Sequence, residues 1–263
     1  MMGISKRKWK KAIVIGDIHI PYHDVSVVNL VYDFIAANEF DLVILIGDIA
    51  DCYDISDFSK DPERGVRFID EARIVRANLR QLRESVGKKA RIIYISGNHE
   101  HRLRRFLIRN APQLVGFPGT TIPEVFGFKE LKIEWVGCNA EKFCDTYWQF
   151  EDYEILFGHW ARVAKHSAYT GKLIMDDYGI SLIQGHVHSF GTHERNLERG
   201  PVQAWENGCL CDLNPLYMKQ KNWMHAFHVV WFETPGSFFD VESVRIINGQ
   251  FRYGGELWST HAK

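Results

Sequence analysis

Residues 42–51 read LVILIGDIAD, a run of five apolar residues that stops at Gly47 and Asp48. A continuous apolar run of this length is typical of a strand that is buried on both faces. The same pattern recurs at residues 13–19 (IVIGDIH), 92–99 (IIYISGNH), 155–159 (ILFGH) and 180–188 (ISLIQGHVH). The sequence therefore predicts five buried strands, each ending at a glycine and a polar residue.

Helical periodicity fills the gaps between the first three predicted strands. Residues 25–37 place apolar side chains three and four positions apart, with Asp24 or Ser26 as the N-cap. Residues 66–86 repeat this spacing, and Gly87 follows as a stop signal. Strands that alternate with helices indicate βαβ units, so the sequence predicts an α/β fold.

The C-terminal part of the chain is rich in strand signals. Residues 228–233 predict a strand, and residues 241–253 predict a hairpin around Asn248-Gly249. Three tryptophans of this region lie in apolar sequence and are expected in the core or at an interface: Trp205, Trp223 and Trp231.

The composition indicates a globular protein. The chain has 263 residues, of which 46% are hydrophobic and 13% aromatic, and its net charge is −1, which excludes a disordered chain. It has no apolar run near the roughly 18 residues of a membrane span, and no signal-peptide pattern. We expect a soluble cytoplasmic protein with one domain over residues 1–263. Its motif-bearing core would cover residues 12–190, followed by a β-rich part at 191–263.

The cysteines are odd in number and include no CxxC pair. In a cytoplasmic chain of this size a disulfide framework is not expected. We therefore predict reduced thiols that pack as small apolar groups, at Cys52, Cys138, Cys144, Cys209 and Cys211.

Metal-ligand residue types follow the predicted strands. In open α/β sheets the functional site lies beyond the carboxyl ends of the strands. Those ends carry Asp17, His19, Asp48, Asn98, His159, His186 and His188. Carboxylate, amide and imidazole ligands suit divalent cations such as Mn, Fe or Zn, so the sequence predicts a metal centre.

The number of ligands is sufficient for two cations. We define the first ligand group as Asp17, His19 and His188, and the second ligand group as Asn98, His159 and His186. Asp48 has two carboxylate oxygens and is predicted to bridge the two cations. Two cations about 3.5–4 Å apart suit in-line displacement at phosphorus, with a shared hydroxide as the nucleophile.

Three further residues are candidates for catalysis or substrate binding. His99 adjoins a ligand and is predicted to protonate the leaving oxygen as a general acid. Asp51 is predicted to orient His99 by accepting its other N–H. In the basic cluster Arg102, Arg104, Arg105 and Arg109, Arg102 is the candidate for binding a phosphate. A second cluster, Lys6, Arg7, Lys8, Lys10 and Lys11, is either a charged leader or a contact to a nucleic-acid backbone, with Trp9 available for stacking.

The five motifs GDIH, GDIAD, GNHE, GH and GHVH begin at residues 16, 47, 97, 158 and 185. In this order the sequence resembles the calcineurin-like metallophosphoesterase superfamily, and it is similar to its phage and prophage members. The resemblance implies a four-layer α/β/β/α sandwich of two mixed sheets flanked by helices. It also implies the two-metal roles above, and the hairpin-rich tail is expected to supply the second sheet. A phage-encoded member would work in the host cytoplasm.

The resemblance leaves the substrate open. Protein Ser/Thr phosphatases of the superfamily carry Arg-Gly after the final Asp of the second motif, whereas Cys52-Tyr53 follow Asp51 here. We predict a phosphodiesterase that acts on nucleotides or nucleic acid, DNA or RNA, with Mn²⁺ as the favoured metal. The alternatives are a phosphomonoesterase, acting on a nucleotide, a phosphoprotein or a nucleic-acid end, and an inactive binding scaffold. The sequence gives no indication of the oligomeric state.

Overall fold

A computed structural model describes residues 8–215 and 222–261 of the chain. The strands are β1 (Lys8–Ile15), β2 (Leu42–Leu45), β3 (Arg91–Ile95), β4 (Ile133–Val136), β5 (Thr146–Gln149), β6 (Ile155–His159), β7 (Ser181–Gln184), β8 (Phe190–Leu197), β9 (Gly200–Asn207), β10 (Ala226–Thr234), β11 (Phe239–Arg245), β12 (Gln250–Tyr253) and β13 (Glu256–Ser259). The helices are α1 (Val25–Ala37), α2 (Phe68–Val86), α3 (His101–Asn110), α4 (Ile122–Val125), α5 (Phe128–Leu131) and α6 (Tyr169–Tyr178). Short 3-10 turns lie at Pro62–Arg64 and Pro112–Leu114.

Two mixed sheets form the centre of the molecule. The first has the strand order β11-β10-β1-β2-β3-β4, in which β1 to β4 are parallel and β10 and β11 are antiparallel additions. The second has the order β5-β6-β7-β9-β8, with β6, β7 and β9 parallel. The parallel strands within each sheet therefore end at a common edge.

The alternation of side chains along β1 shows how the layers are arranged. Ile13 and Ile15 pack with α1 and α2 on the outer face of the first sheet. Ala12 and Val14 point the other way, into a core shared with the second sheet. The outer face of the second sheet packs against α6. The order helix, sheet, sheet, helix confirms the predicted four-layer sandwich.

Hydrogen bonds to aspartate side chains explain where the two long helices begin. The Asp24 carboxylate accepts the N–H groups of Ser26 and Val27 at 3.0 and 3.1 Å, so Asp24 is the N-cap of α1. Helix α2 begins at Phe68, two residues later than predicted, where the Asp54 carboxylate accepts the Phe68 N–H at 3.0 Å.

The C-terminal strands depart from the prediction. The tail does not supply the second sheet by itself, because β10 and β11 join the first sheet whereas β8 and β9 join the second. The turn at Asn248-Gly249 forms, with Ile247 and Gln250 exchanging hydrogen bonds of 2.8 and 3.0 Å. The predicted hairpin ladder is wrong beyond this pair, since β12 leaves to pair with β13.

The prediction of five reduced cysteines is also wrong. Cys138 and Cys144 form a disulfide, because the loop between them returns and brings their Cα atoms within 5.8 Å. Cys52, Cys209 and Cys211 are free and buried, as predicted. In the two ranges that the structure describes, none of the helices is long and apolar enough to cross a membrane.

Candidate metal centre

The loops after the predicted strands bring the candidate ligands together. Five of these residues have a left-handed backbone, with φ values of 50° to 78°: Asp17, His19, Asp48, His186 and His188. This region is uncommon for residues other than glycine, and such backbone strain concentrates at functional sites. A Cβ on Gly97 would lie 2.0 Å from Asp48 Oδ1, so glycine is needed there for the loops to meet.

The first ligand group forms a buried triad. His188 Nε2 lies 3.1 Å from Asp17 Oδ1 and 3.0 Å from His19 Nε2. Two nitrogen ligands that are about 2.1 Å from one cation and at right angles are about 3 Å apart. The spacing of the two imidazole nitrogens therefore fits a shared cation.

The second nitrogen of each of these imidazoles faces a fixed partner. His19 Nδ1 lies 3.4 Å from Asp51 Oδ2, and His188 Nδ1 lies 3.7 Å from Cys211 Sγ. Such outer contacts set the ring orientation of metal-binding histidines. They leave both Nε2 atoms directed into the site, as metal binding requires.

The second ligand group meets the first at Asp48. His159 donates from Nδ1 to the Ile46 carbonyl at 2.9 Å, which directs its Nε2 toward Asn98 Oδ1, 3.1 Å away. The ring of His186 lies 5.0 Å from that of His159. Asp48 Oδ2 is 3.3 Å from His159 Nε2 and 3.9 Å from the Nε2 of His19 in the first group. Asp48 is therefore placed to bridge the groups.

The histidines of the two ligand groups differ in pKa according to how closely a carboxylate lies to each. Burial lowers the pKa of His159 and His188, but Asp48 and Asp17 respectively outweigh it and raise these pKa values to about 9 and about 10. Burial dominates at His186, whose pKa is lowered to about 4. A cation that binds here must displace protons from the carboxylate-paired imidazoles, so its affinity rises with pH.

Asp51 contacts His99, but not with the predicted atom. His99 donates from Nδ1 to the main-chain carbonyl of Asp51 at 2.8 Å, whereas the nearest carboxylate oxygen is 3.9 Å away. The carboxylate instead faces His19, and also Arg64 and Arg102 at 3.6 and 3.5 Å. Although burial opposes it, the hydrogen bond from His19 and the proximity of His99 and Arg102 lower the pKa of Asp51 to about 2.

Arg102 is the arginine of α3 that reaches the site. Its guanidinium donates to His99 Nε2 at 3.1 Å and to the Asp51 carbonyl at 2.7 Å. Burial lowers the pKa of His99 to about 3, so this nitrogen accepts a hydrogen bond here. Arg102 therefore occupies the nitrogen of His99 from which the predicted general acid would donate. Arg105 and Arg109 pair with Asp57 instead.

The N-terminal basic cluster lies elsewhere. Lys6 and Arg7 fall outside the described residues, and Lys8 opens β1, whereas Asp17 follows the other end of that strand. The eight residues of β1 span about 25 Å. Lys10 pairs with Glu151 at 2.8 Å. The structure therefore does not bring the described members of this cluster, Lys8, Lys10 and Lys11, to the metal-ligand residues.

The model of the calcineurin-like phosphoesterase family matches residues 10–190. The chain belongs to this family. It is therefore a phosphoric ester hydrolase of a metal-dependent family, and the phage-type resemblance is confirmed by two relatives. The Gene 54 proteins of Mycobacterium phages L5 and D29 are each 26% identical over 264 residues, covering 95% of this chain and 98% of theirs.

Solved structures with similar folds have much lower identity. Vps29 of Entamoeba histolytica complexed with zinc is 10% identical, with a TM-score of 0.45 over 95% of this chain and 99% of that one. The nuclease MPE of Pseudomonas putida is 13% identical, with a TM-score of 0.36 over 94% and 86% of the two chains.

Glu100 is a site residue of this phosphoesterase that sequence reasoning missed. Its buried carboxylate accepts the N–H groups of Asp48, Ile49 and Ala50 at 2.8–3.0 Å, and that of Gly97 at 2.8 Å. The Tyr94 hydroxyl donates a fifth hydrogen bond at 2.7 Å. Glu100 thus connects the loop of Asp48 to the loop of Asn98. The one signal in the sequence is its place directly after His99 in the third motif.

A cavity of about 420 Å³ adjoins the first ligand group and was also missed. Its walls include His19, His188, Tyr22, Tyr53, Arg64 and Trp223. The ring of Trp223 lies 4.3 Å from that of His188, so this tryptophan is at the site and not in the predicted core. Trp205 is buried between the sheets, as predicted, and Trp231 packs at the edge of the helix-side core.

Proposed function

We propose that the chain is a dinuclear metallophosphodiesterase that acts on nucleotides or nucleic acid in the cytoplasm of a phage host. One observation carries the dinuclear site: the two ligand groups meet at Asp48, whose Oδ2 lies within 3.9 Å of an imidazole nitrogen of each. A carboxylate in this position suits a bridge between two cations.

The chain's own residues would hold the cations and a phosphate in fixed relation. Asp17, His19 and His188 would bind one cation, and Asn98, His159 and His186 the other. The cations, when bound, supply an activated water and positive charge at the phosphorus, and Mn²⁺ suits the mixed oxygen and nitrogen ligands. Glu100 would keep the bridging loop in place while the charge at phosphorus changes.

Arg102 and His99 would complete the reaction centre. The buried guanidinium of Arg102 would turn from His99 to a phosphate oxygen, a group for which arginine has matching donor geometry. This exchange would free His99 Nε2 and move away a positive charge that lowers its pKa, so that the imidazole can take up a proton from solvent and donate it to the leaving oxygen as a general acid. Both residues would then contact the substrate.

The cavity supports a diester substrate. A phosphomonoester has one organic substituent, whereas a diester has two that must both be accommodated at the phosphorus. The cavity beside the first ligand group offers space for the second substituent. Phosphomonoester hydrolysis remains the alternative that the assay must distinguish.

A paired turnover assay tests the proposal. The metal-depleted protein is reloaded with Mn²⁺ and given an aryl phosphomonoester, an aryl phosphodiester, and single-stranded and duplex oligonucleotides. We expect turnover of the diester and of an oligonucleotide, and its loss in Asp48→Asn. Asp33→Asn is the matched control, because Asp33 is exposed on α1. Both variants should keep the circular dichroism spectrum of the wild type.

The other outcomes point to different functions. Turnover of the monoester alone would make the chain a phosphatase. Bound metal at two ions per chain without turnover of any ester would make it a binding scaffold. A nucleic-acid substrate should also bind with a steep loss of affinity as salt increases, because bound phosphates release counterions.

A further inference from the structure

The cavity beside the first ligand group has rigid aromatic walls. The Tyr53 hydroxyl donates to the Ser59 carbonyl at 2.7 Å and accepts the Asp61 N–H at 2.8 Å. The Tyr22 hydroxyl donates to the Arg64 carbonyl at 3.1 Å. Since both phenol groups are engaged in the protein, the tyrosines are held in place with their rings at the wall.

Arg64 is fixed against these rings. Its guanidinium carbon lies 4.3 Å from the ring centre of Tyr22 and 4.4 Å from that of Tyr53. Asp51 holds the same guanidinium at 3.6 Å. These contacts hold Arg64 and the two tyrosine rings together as one rigid part of the cavity wall.

Carboxylates also line the cavity. Asp61 and Asp212 both contribute to the wall, and Asp212 is fixed by the Asn214 N–H at 2.8 Å. Among the described residues of the wall, the three carboxylates of Asp51, Asp61 and Asp212 outnumber the single guanidinium of Arg64, which disfavours an anionic occupant such as a second phosphate. They accept hydrogen bonds from N–H and O–H groups. The favoured occupant is therefore flat, aromatic, uncharged and rich in donors, which describes a nucleobase with its sugar.

Building on the proposed phosphodiesterase activity, we infer that this cavity binds one nucleoside of the substrate, with its base against Trp223. The cavity is continuous with His19 and His188, so its occupant is attached to the phosphorus held by the metal-ligand residues. Trp223 lies beside the His188 ring and provides the largest aromatic surface of the cavity. The volume of about 420 Å³ is within the ordinary range of small-ligand sites.

The test compares three substrates that differ only in their bases. Thymidylyl-thymidine is the reference, and its two abasic analogues carry a tetrahydrofuran sugar in place of one nucleoside or the other. Cleavage by the Mn²⁺-loaded protein is followed by chromatography of the products. We expect removal of one particular base to lower kcat/KM by roughly 5- to 150-fold, the effect of one base–aromatic stack. Removal of the other base should change it much less.

Variants assign this effect to the cavity. Trp223→Ala should lower kcat/KM on the reference by a similar factor and leave the sensitive abasic analogue within about twofold of wild type, because the stacked base is already missing. Trp223→Phe should retain most of the preference. Phe117→Ala, which removes an exposed ring outside the cavity, should have no effect.

Three results would overturn the inference while leaving the proposed function intact. The first is equal cleavage of all three substrates, and the second is cleavage of an aryl phosphodiester but of none of the three. The third is an equal loss in Trp223→Ala on every substrate, which would mean that Trp223 acts on His188. Failure to cleave any phosphodiester would instead reject the proposed function, and the nucleoside site with it.

Discussion

Replacing Glu100 with glutamine should separate the two loops that carry Asp48 and Asn98. In the native chain Oε1 of Glu100 accepts three hydrogen bonds and Oε2 accepts two, both from main-chain N–H groups. The best orientation of the glutamine keeps its carbonyl oxygen toward the three donors. Its amino group then faces the N–H groups of Asp48 and Gly97, so both of these hydrogen bonds are lost.

The expected loss of stability is large. A hydrogen bond to a charged group contributes about 1.5–3 kcal/mol, so two of them amount to roughly 3–6 kcal/mol in the free energy of unfolding. Urea unfolding with a chelator present measures this without a contribution from metal. Tyr94→Phe is the matched control, since it removes one donor to the same carboxylate and should lose only about 1.5–3 kcal/mol.

A second measurement connects Glu100 to the metal centre. Mutation of a residue that positions a metal ligand typically weakens metal affinity 10- to 100-fold. A Mn²⁺ titration of the Glu100→Gln variant would detect a loss of this size. A free energy of unfolding of Glu100→Gln within about 1 kcal/mol of the wild-type value, together with equal binding of Mn²⁺, would refute this reasoning. In that case Glu100 does not hold the two loops together.

Three further predictions concern the site and its surroundings. Arg102→Ala should lower kcat more than Arg102→Lys, because a charge beside His99 is removed; steady-state kinetics that showed equal rates for both variants and the wild type would count against phosphate binding by Arg102. Removal of metal with a chelator should lower Tm, and added Mn²⁺ should raise it again by an amount that increases with the Mn²⁺ concentration. A Tm that is independent of Mn²⁺ would argue against the metal centre. Burial, only partly offset by the Cys52 N–H, raises the pKa of Glu71 to about 8. The native state therefore keeps this proton to a higher pH than the unfolded state does, so the free energy of unfolding should fall as pH rises from about 4.5 to about 8. Glu71→Gln should weaken that fall in urea unfolding across this pH range.

Local patterns in the sequence accounted for the inner strands, the two long helices and the candidate ligands. Helix α1 spans Val25–Ala37 as predicted, because its apolar period and its aspartate cap lie within a few residues of each other. The ligand loops were predictable for a similar reason: each directly follows a buried parallel strand, and parallel strands end at one edge.

Features that depend on distant parts of the chain were not predictable. Asn248-Gly249 specifies a tight turn, but the choice of β13 as the partner of β12 is made by packing against the first sheet. Glu100 was missed because residue type alone does not distinguish a buried glutamate from one on the surface. Arg64 belongs to an irregular loop, and only the fold brings it to Tyr22 and Tyr53.

The four-layer arrangement also determines how the site responds to distant changes. Asp17 and Asp48 follow strands of the first sheet, whereas His159 is the last residue of β6 and His188 follows β7, both in the second sheet. Each ligand group is therefore assembled from two halves that belong to separate layers. The apolar core between the two sheets therefore determines the distance between the two halves of each ligand group. A cavity made in that core, for example by Ile44→Ala, should widen the ligand spacing and weaken metal binding without touching any ligand.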